Sequence, residues 1–406
     1  MNYTAHVRDS VEGICPLRLQ HFFLFFCLMG SHCDSFAGES PQFILSKQCP
    51  IYFQKVDGRC FLNTPYQRGT NEDQVHGLRM RLSPKLDGLD PQQIDLGRLL
   101  FFDPILSQGR DVSCAHCHDP ALHWSDGQDR SRGVGGFGVG RQRDGGKLLP
   151  RSTPTLWNLG FRDTFFWDGR ARTLESQALG PLNHPDEMGG SAEMRRSRLN
   201  RNPTYRRLFK AAFGLVQEQE ISDELIVRAI ASFERSLISL NSRYDRFVFG
   251  QTNALDDDEV AGFNVFRSFV SRCSECHVPP LFTNQQFARI GVPNVPGLND
   301  LGLGETQSAA NAKGAFLVPS LRNIAATAPY MHAGQFLDLR QVIQFYNLGG
   351  RLPQTQRAAD THWHVREAGL SQEDVDVLIK FLGTLTDETG KPEIPRLVPS
   401  GLKVLR

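Results

Sequence analysis

The pattern Cys114-Ala-His-Cys117-His118 recurs 159 residues further on as Cys273-Ser-Glu-Cys276-His277, and this pair limits the possible fold more than anything else in the chain. Two thiols three positions apart, followed at once by an imidazole, are spaced to add across the two vinyl groups of a haem and to set a nitrogen beneath its iron. Zinc and thiol–disulfide sites also use CxxC, but neither needs a histidine directly after the second cysteine. With nine Cys and 12 His in 406 residues, two accidental matches are not expected. The chain is thus expected to carry two covalently bound haem c groups, cysteine-linked at 114/117 and 273/276, with His118 and His277 as iron ligands. A haem is a large apolar disc, so it supplies core to segments too rich in loops to build their own.

Those loops are visible in the sequence. The 37 Gly and 23 Pro imply many turns, and Gly133 to Gly146 reads GVGGFGVGRQRDGG. Between them the apolar pattern is helical. Leu225, Ile226, Ala229, Ile230, Phe233, Leu237 and Leu240 recur at three- and four-residue steps after Ser222, a candidate N-cap. Ser371-Gln-Glu-Asp374 reads as a capping box opening a last helix with Val375, Leu378, Ile379, Leu382 and Leu385 on one face. No run of alternating strands appears. Leu96-Gly97-Arg98-Leu99-Leu100-Phe101 precedes the first motif and Ala261-Gly262-Phe263-Asn264-Val265-Phe266 the second. Their shared small/apolar-Gly-x-x-apolar-Phe pattern implies a duplicated helical haem domain.

The rest of the composition narrows the setting. Net charge is +1, from 45 Lys+Arg against 44 Asp+Glu, which gives no basic field for nucleic acid. His21 to Gly30 (HFFLFFCLMG) is too short to span a bilayer. With Arg18 before it and Ser35-Phe36-Ala37 after it, residues 1–37 read as a secretory signal peptide, which implies a periplasmic protein with no membrane span after cleavage. Cleavage near Ala37 removes Cys15, Cys27 and Cys33. Of the six cysteines left, Cys49 and Cys60 flank Val56-Asp57-Gly58-Arg59, either as a disulfide in an oxidising compartment or as two separate thiols.

The segments LGRLLFFDPILS, CAHCHDP, PRSTPTLWN, FFWDGRARTLESQALGPLNHPDEMG, CSECH, VPSLRNIAATAPYMHAG and FYNLGG, in this order from about Leu96 to Thr386, resemble the bacterial di-haem cytochrome c peroxidase/MauG superfamily. The resemblance implies a mainly α fold: two cytochrome c-like helical haem domains with long irregular loops and little β. It lays the chain out as an N-terminal extension 38–90, a first domain 91–245 with the peroxidatic haem, a second domain 246–390 and a tail 391–406. It further implies hydrogen peroxide as oxidant and a calcium ion between the domains. Glu187, in Pro185-Asp186-Glu187-Met188, matches the acid–base group that moves a proton between the peroxide oxygens, and Gln177 its companion amide. Trp167, in FFWDGR, matches the tryptophan between the haems. The calcium positions fall on the carbonyls of Thr327 and Pro329 and on Ser152, which stands where the family commonly has Asn. Ala333, after His332, replaces a common Asp.

Two departures choose a branch. Fourteen residues after His332, where electron-accepting peroxidases carry Met, the chain has Tyr346, as MauG-like enzymes do. A phenolate stabilises oxidised iron better than a thioether does. Sixteen residues after His118, where peroxidases activated by reduction carry a blocking His, the chain has Val134, and the nearby His123 is too close to His118 to reach the opposite haem face. The resemblance therefore implies a MauG-like enzyme of the MbnH type, in which peroxide raises the haem pair to a high-valent state that oxidises a Trp or Tyr on a periplasmic partner protein. A cytochrome c peroxidase fed by a small electron-donor cytochrome is the alternative, and a non-catalytic di-haem electron carrier the third. Tyr346 disfavours the second reading, and Glu187 with Gln177 the third.

Overall fold

The computed structural model describes residues 42–68 and 88–404; the expected signal peptide, with Cys15, Cys27 and Cys33, lies outside them. The described chain starts with a hairpin, β1 (Phe53–Val56) and β2 (Arg59–Leu62), and a single helical turn, α1 (Pro65–Arg68). A disulfide joins Cys49 to Cys60 with Cα atoms 5.5 Å apart, which decides between the two readings of this pair. The helices that follow are α2 (Pro91–Phe102), α3 (Leu174–Asn183), α4 (Ala192–Arg201), α5 (Pro203–Phe213), α6 (Asp223–Arg235), α7 (Arg243–Val248), α8 (Asp257–Phe266), α9 (Cys273–Cys276), α10 (Leu339–Asn347) and α11 (Gln372–Gly383). Two further antiparallel ladders are only two residues long: β3 (Gly136–Phe137) with β4 (Asp144–Gly145), and β5 (Phe287–Ala288) with β6 (Phe316–Leu317). The fold is mainly helical with little β. Among the described residues no helix is long and apolar enough to cross a membrane.

Two helix crossings built alike organise the chain. α2 packs on α6, and a Cβ added at Gly97 would lie 1.9 Å from the Ala229 carbonyl oxygen. α8 packs on α11, and a Cβ added at Gly262 would lie 2.0 Å from that of Val377. The next obstacle is the Cβ of a phenylalanine in both cases, Phe233 and Phe381. Glycine is thus required at both because backbone meets backbone there, which is the physical content of the repeated Gly-x-x-apolar-Phe pattern. Asp90 caps α2 through the amides of Gln92 and Gln93. Ser222 and Ser371 cap α6 and α11 at the predicted places.

The repeat extends between the crossings at a constant offset of 165 residues. Asn158 and Asn323 both adopt left-handed backbone (φ 62° and 61°) and both anchor on Ser239 through their side chains. The bridge Phe165–Ala171 corresponds to Tyr330–Phe336, and Thr173, the cap of α3, to Asp338, the cap of α10. One expectation shifts: α6 ends at Arg235, before Leu237 and Leu240. Ser236 closes the helix by donating its hydroxyl to the Phe233 carbonyl, and Asn158 takes both backbone groups of Ser239. The two leucines stay buried in the extended segment beyond. At the centre, the wholly buried Arg322 forms a two-pronged pair with Asp245 (2.6 and 2.7 Å), and the Tyr66 hydroxyl donates to the same carboxylate.

Candidate active site

Each CxxCH motif forms a single tight turn in which the histidine amide donates to the carbonyl of the first cysteine, at 2.9 Å in both. His118 Nδ1 lies 2.9 Å from the Trp124 carbonyl, and His277 Nδ1 lies 3.1 Å from the carbonyls of Phe282 and Pro319. Carbonyls only accept, so both rings carry their proton on Nδ1 and leave the Nε2 lone pair free for iron. Burial pushes both imidazoles down to about 4, so both are neutral at pH 7, the state that binds metal. Trp124 and Phe282, which offer those carbonyls, are fully buried and sit in left-handed backbone (φ 65° and 55°). Two aromatic residues in a region that L-amino acids avoid mark backbone placed for the histidines.

The first motif opens into a cavity of about 530 Å³ lined by Cys114, Cys117 and His118 together with Trp167, Gln177, Glu187 and Ser152. This is the size class of a cofactor pocket. With the free Nε2 and paired thiols at its wall, it fits a haem c. Gln177 is on α3, and Glu187 lies in the turn after it, where the Glu187 amide donates to the His184 carbonyl. Burial raises the Glu187 carboxyl above its ordinary range, partly opposed by His184 and Arg170. The glycine-rich loop closes over this turn: Val134 N–H donates to the Asp186 carbonyl, and a Cβ at Gly133 would lie 1.8 Å from that same oxygen.

Neither candidate for a blocking imidazole reaches the cavity. Val134 has no donor. His123 is buried outside the cavity wall, where its Nδ1 accepts from Trp157 Nε1 at 3.3 Å and its Nε2 lies 3.8 Å from Glu388 of the C-terminal segment. The 165-residue repeat adds a residue that motif reading missed. On α10 the sequence-predicted ligand is Tyr346; the corresponding position on α3 is Pro181, which lines the first cavity and has no side-chain donor. The signal was present in the sequence as the shared cap-to-residue distance, but it emerges only once the two helices are recognised as equivalent.

Tyr346 stands near the C-terminal end of α10, and burial together with the neighbouring Cys276 and Cys273 raises its phenol well above the ordinary value. Tyr346 and Cys273 pack against the same apolar core cluster of the second half. Trp167 lines the first cavity. Its Nε1 donates to the Ser152 carbonyl at 3.1 Å, and its own carbonyl accepts from Leu317 N–H at 2.9 Å. Two residues on, Pro319 lines the first cavity and takes the His277 Nδ1 proton, so a short bonded path joins the Trp167 peptide to the second histidine. Ser152 donates its hydroxyl to the Met331 carbonyl and its amide to that of His332, close in sequence to Thr327 and Pro329. Arg151 fastens the same region by pairing with both Asp168 and Asp300. Among the described residues no cluster of three or more His, Cys, Asp or Glu could hold a metal ion.

Residues 91–253 match the family described as di-haem cytochrome c peroxidase. Over 316 residues, 77% of this chain and 84% of the relative, the sequence is 37% identical to the methylamine utilization protein MauG of Methylorubrum extorquens. It is 32% identical over 308 residues, 75% of this chain and 83% of the relative, to the cytochrome c551 peroxidase of Nitrosomonas europaea. Among solved structures, a MauG-like protein associated with microbial copper homeostasis is similar at a TM-score of 0.68 and 30% identity, over 80% of this chain and 99% of that one.

Proposed function

The chain belongs to the di-haem cytochrome c peroxidase family, to which MauG also belongs, and from that membership we propose a MauG-like role: hydrogen peroxide is reduced at the first site, and the electrons come from a Trp or Tyr side chain of a periplasmic partner protein. The observation that carries this reading is Tyr346 on α10, packed with Cys273 on one core cluster, set against Pro181 at the equivalent position of the first site. At the second site Tyr346 would offer a bound haem an oxygen donor, which disfavours reduced iron, whereas Pro181 would offer none at the first.

The haem c groups, when bound, supply irons that accept the oxidising equivalents of peroxide. The remaining work is done by this chain. Cys114, Cys117, Cys273 and Cys276 fix the two haems, and His118 and His277 present their Nε2 atoms. The Glu187 carboxylate takes the proton from one peroxide oxygen and returns it to the other, so that water can leave, and the Gln177 amide orients the peroxide beside it. Overall H2O2, two protons and two electrons give two waters, and the partner's aromatic residue loses the electrons. Trp167 carries charge between the sites. A Ca2+ ion, if bound, would be held by the carbonyls of Thr327 and Pro329, with Ser152 acting through water. Export through the 1–37 segment is in keeping with the Cys49–Cys60 disulfide.

A second reading, in which a small cytochrome supplies the electrons, is favoured by the 32% identity to a cytochrome c551 peroxidase. One experiment separates them. One equivalent of peroxide is added to the fully oxidised holoprotein, with no reductant present. On the MauG-like reading the haem absorption changes within the mixing time. A response only after partial reduction would sink that reading in favour of the cytochrome-fed peroxidase.

A further inference from the structure

Two ionisable side chains lining the first cavity each carry a buried atom with no hydrogen-bond partner among the described residues, Nε of Arg162 and Oε2 of Glu234. No hydrogen bond or ion pair joins the two. The difference in chemistry matters. A carboxylic acid can take up a proton and become neutral, whereas a guanidinium stays charged in any protein environment. Arg162 is therefore a fixed cation with a buried Nε, and an anion beside it would satisfy both its charge and that donor.

Among the described residues none is paired with Arg162: Asp168 and Asp300, which also line the cavity, are taken by Arg151, and Asp168 also by Arg170. The position of Arg162 indicates what would pair with it. It follows the turn Leu159–Phe161, whose last carbonyl accepts from Gln285 Nε2 of the second half at 3.1 Å. Arg162 lines this cavity, and the haem c that the cavity fits brings carboxylates of its own. In haem c the vinyl groups that bind the thiols and the two propionate carboxylates lie on opposite edges of the ring. We propose that Arg162 is the anchor for a propionate carboxylate of the first haem, binding it through the guanidinium fork. The assignment rests on the haem c of the family and not on the identity of the electron donor, so it can fail while the peroxide chemistry stands.

A positive charge at the propionate edge favours the reduced haem, because reduction lowers the net charge of the iron. The test is potentiometry on holoprotein, following the absorption bands of each haem, with mass spectrometry confirming two attached haems in every variant. In Arg162→Gln, reduction of the first haem should become about tenfold less favourable, about 59 mV for one electron, with the second haem unmoved. Arg162→Lys should recover most of this, because the charge returns. An unchanged first potential, or equal displacement of both haems, overturns the proposal. Should the glutamine variant fail to load haem, Arg162→Lys still decides. Loss of the fork should move the propionate bending band in the resonance Raman spectrum, and an unmoved band overturns the assignment.

Discussion

Glu234 carries the cavity's other buried atom without a partner among the described residues, and its burial makes a quantitative demand on stability. It is 5% exposed at the end of α6, and burial, beyond the opposing effect of Arg235, pushes its carboxyl from 4.5 up to about 8. Each tenfold change in protonation equilibrium is worth about 1.4 kcal/mol, so ionised Glu234 costs the folded state about 5 kcal/mol relative to the unfolded chain. The sign follows from the direction of the shift. The folded protein holds this proton more tightly, so stability is full below about 4.5, falls as pH climbs from there to about 8, and is level above. Glu234→Gln removes the titration while keeping the shape, so the variant should match the parent near pH 5 and exceed it above pH 8 by up to about 5 kcal/mol. Guanidinium unfolding of both holoproteins at four or five pH values across that window measures the difference directly. Parallel curves would refute the claim that this carboxyl is buried without a partner.

Three further outcomes follow from the geometry. Glu187→Gln should leave both haems attached but slow the spectral response to peroxide by about 10²-fold or more in stopped flow, and an unchanged rate would remove Glu187 from proton transfer. Trp167→Phe keeps an aromatic ring but loses the indole N–H that bonds the Ser152 carbonyl; oxidation at one haem should then fail to perturb the other's spectrum, and intact coupling would refute the relay role. Gly262→Ala sets a methyl group against the Val377 carbonyl and should destabilise the protein by roughly 1–3 kcal/mol in denaturant unfolding; a neutral result would mean that α8 and α11 can separate at no cost.

What could be read in the sequence was whatever chemistry forces into a short window. The thiols and imidazole of each attachment site are contiguous because they bind one rigid ring. Ser222 and Ser371 are legible because a cap acts within three residues. Gly97 and Gly262 were visible as a repeated pattern, but the reason for them lies about 115 to 130 residues away, in the Ala229 and Val377 carbonyls. Arg162 and Glu234 could not be singled out, since a lone Arg or Glu looks the same in a sequence whether water or a cavity surrounds it. The end of α6 was missed because the apolar period continues through Leu237 and Leu240 while Asn158, a distant residue, captures the backbone at Ser239.

The two sites also show where duplicated sequence keeps its meaning and where it parts from it. On the proximal side both histidines are held through Nδ1 by the carbonyl of a buried aromatic residue in left-handed backbone, Trp124 or Phe282. Any change there would alter the tautomer that faces iron, so neither copy can drift far. On the other side α3 and α10 present one equivalent position, and it holds Pro181 in one copy and Tyr346 in the other. On the proposed reading, the side chain at that place decides whether a bound iron would be open to peroxide or bound by oxygen. The elements around it, the caps Thr173 and Asp338 and the preceding bridged turns, have no such effect and remain alike. On that reading, division of labour between two haems would need little more than one substitution on a repeated scaffold, and interchanging those two side chains is the change most able to exchange the roles of the sites.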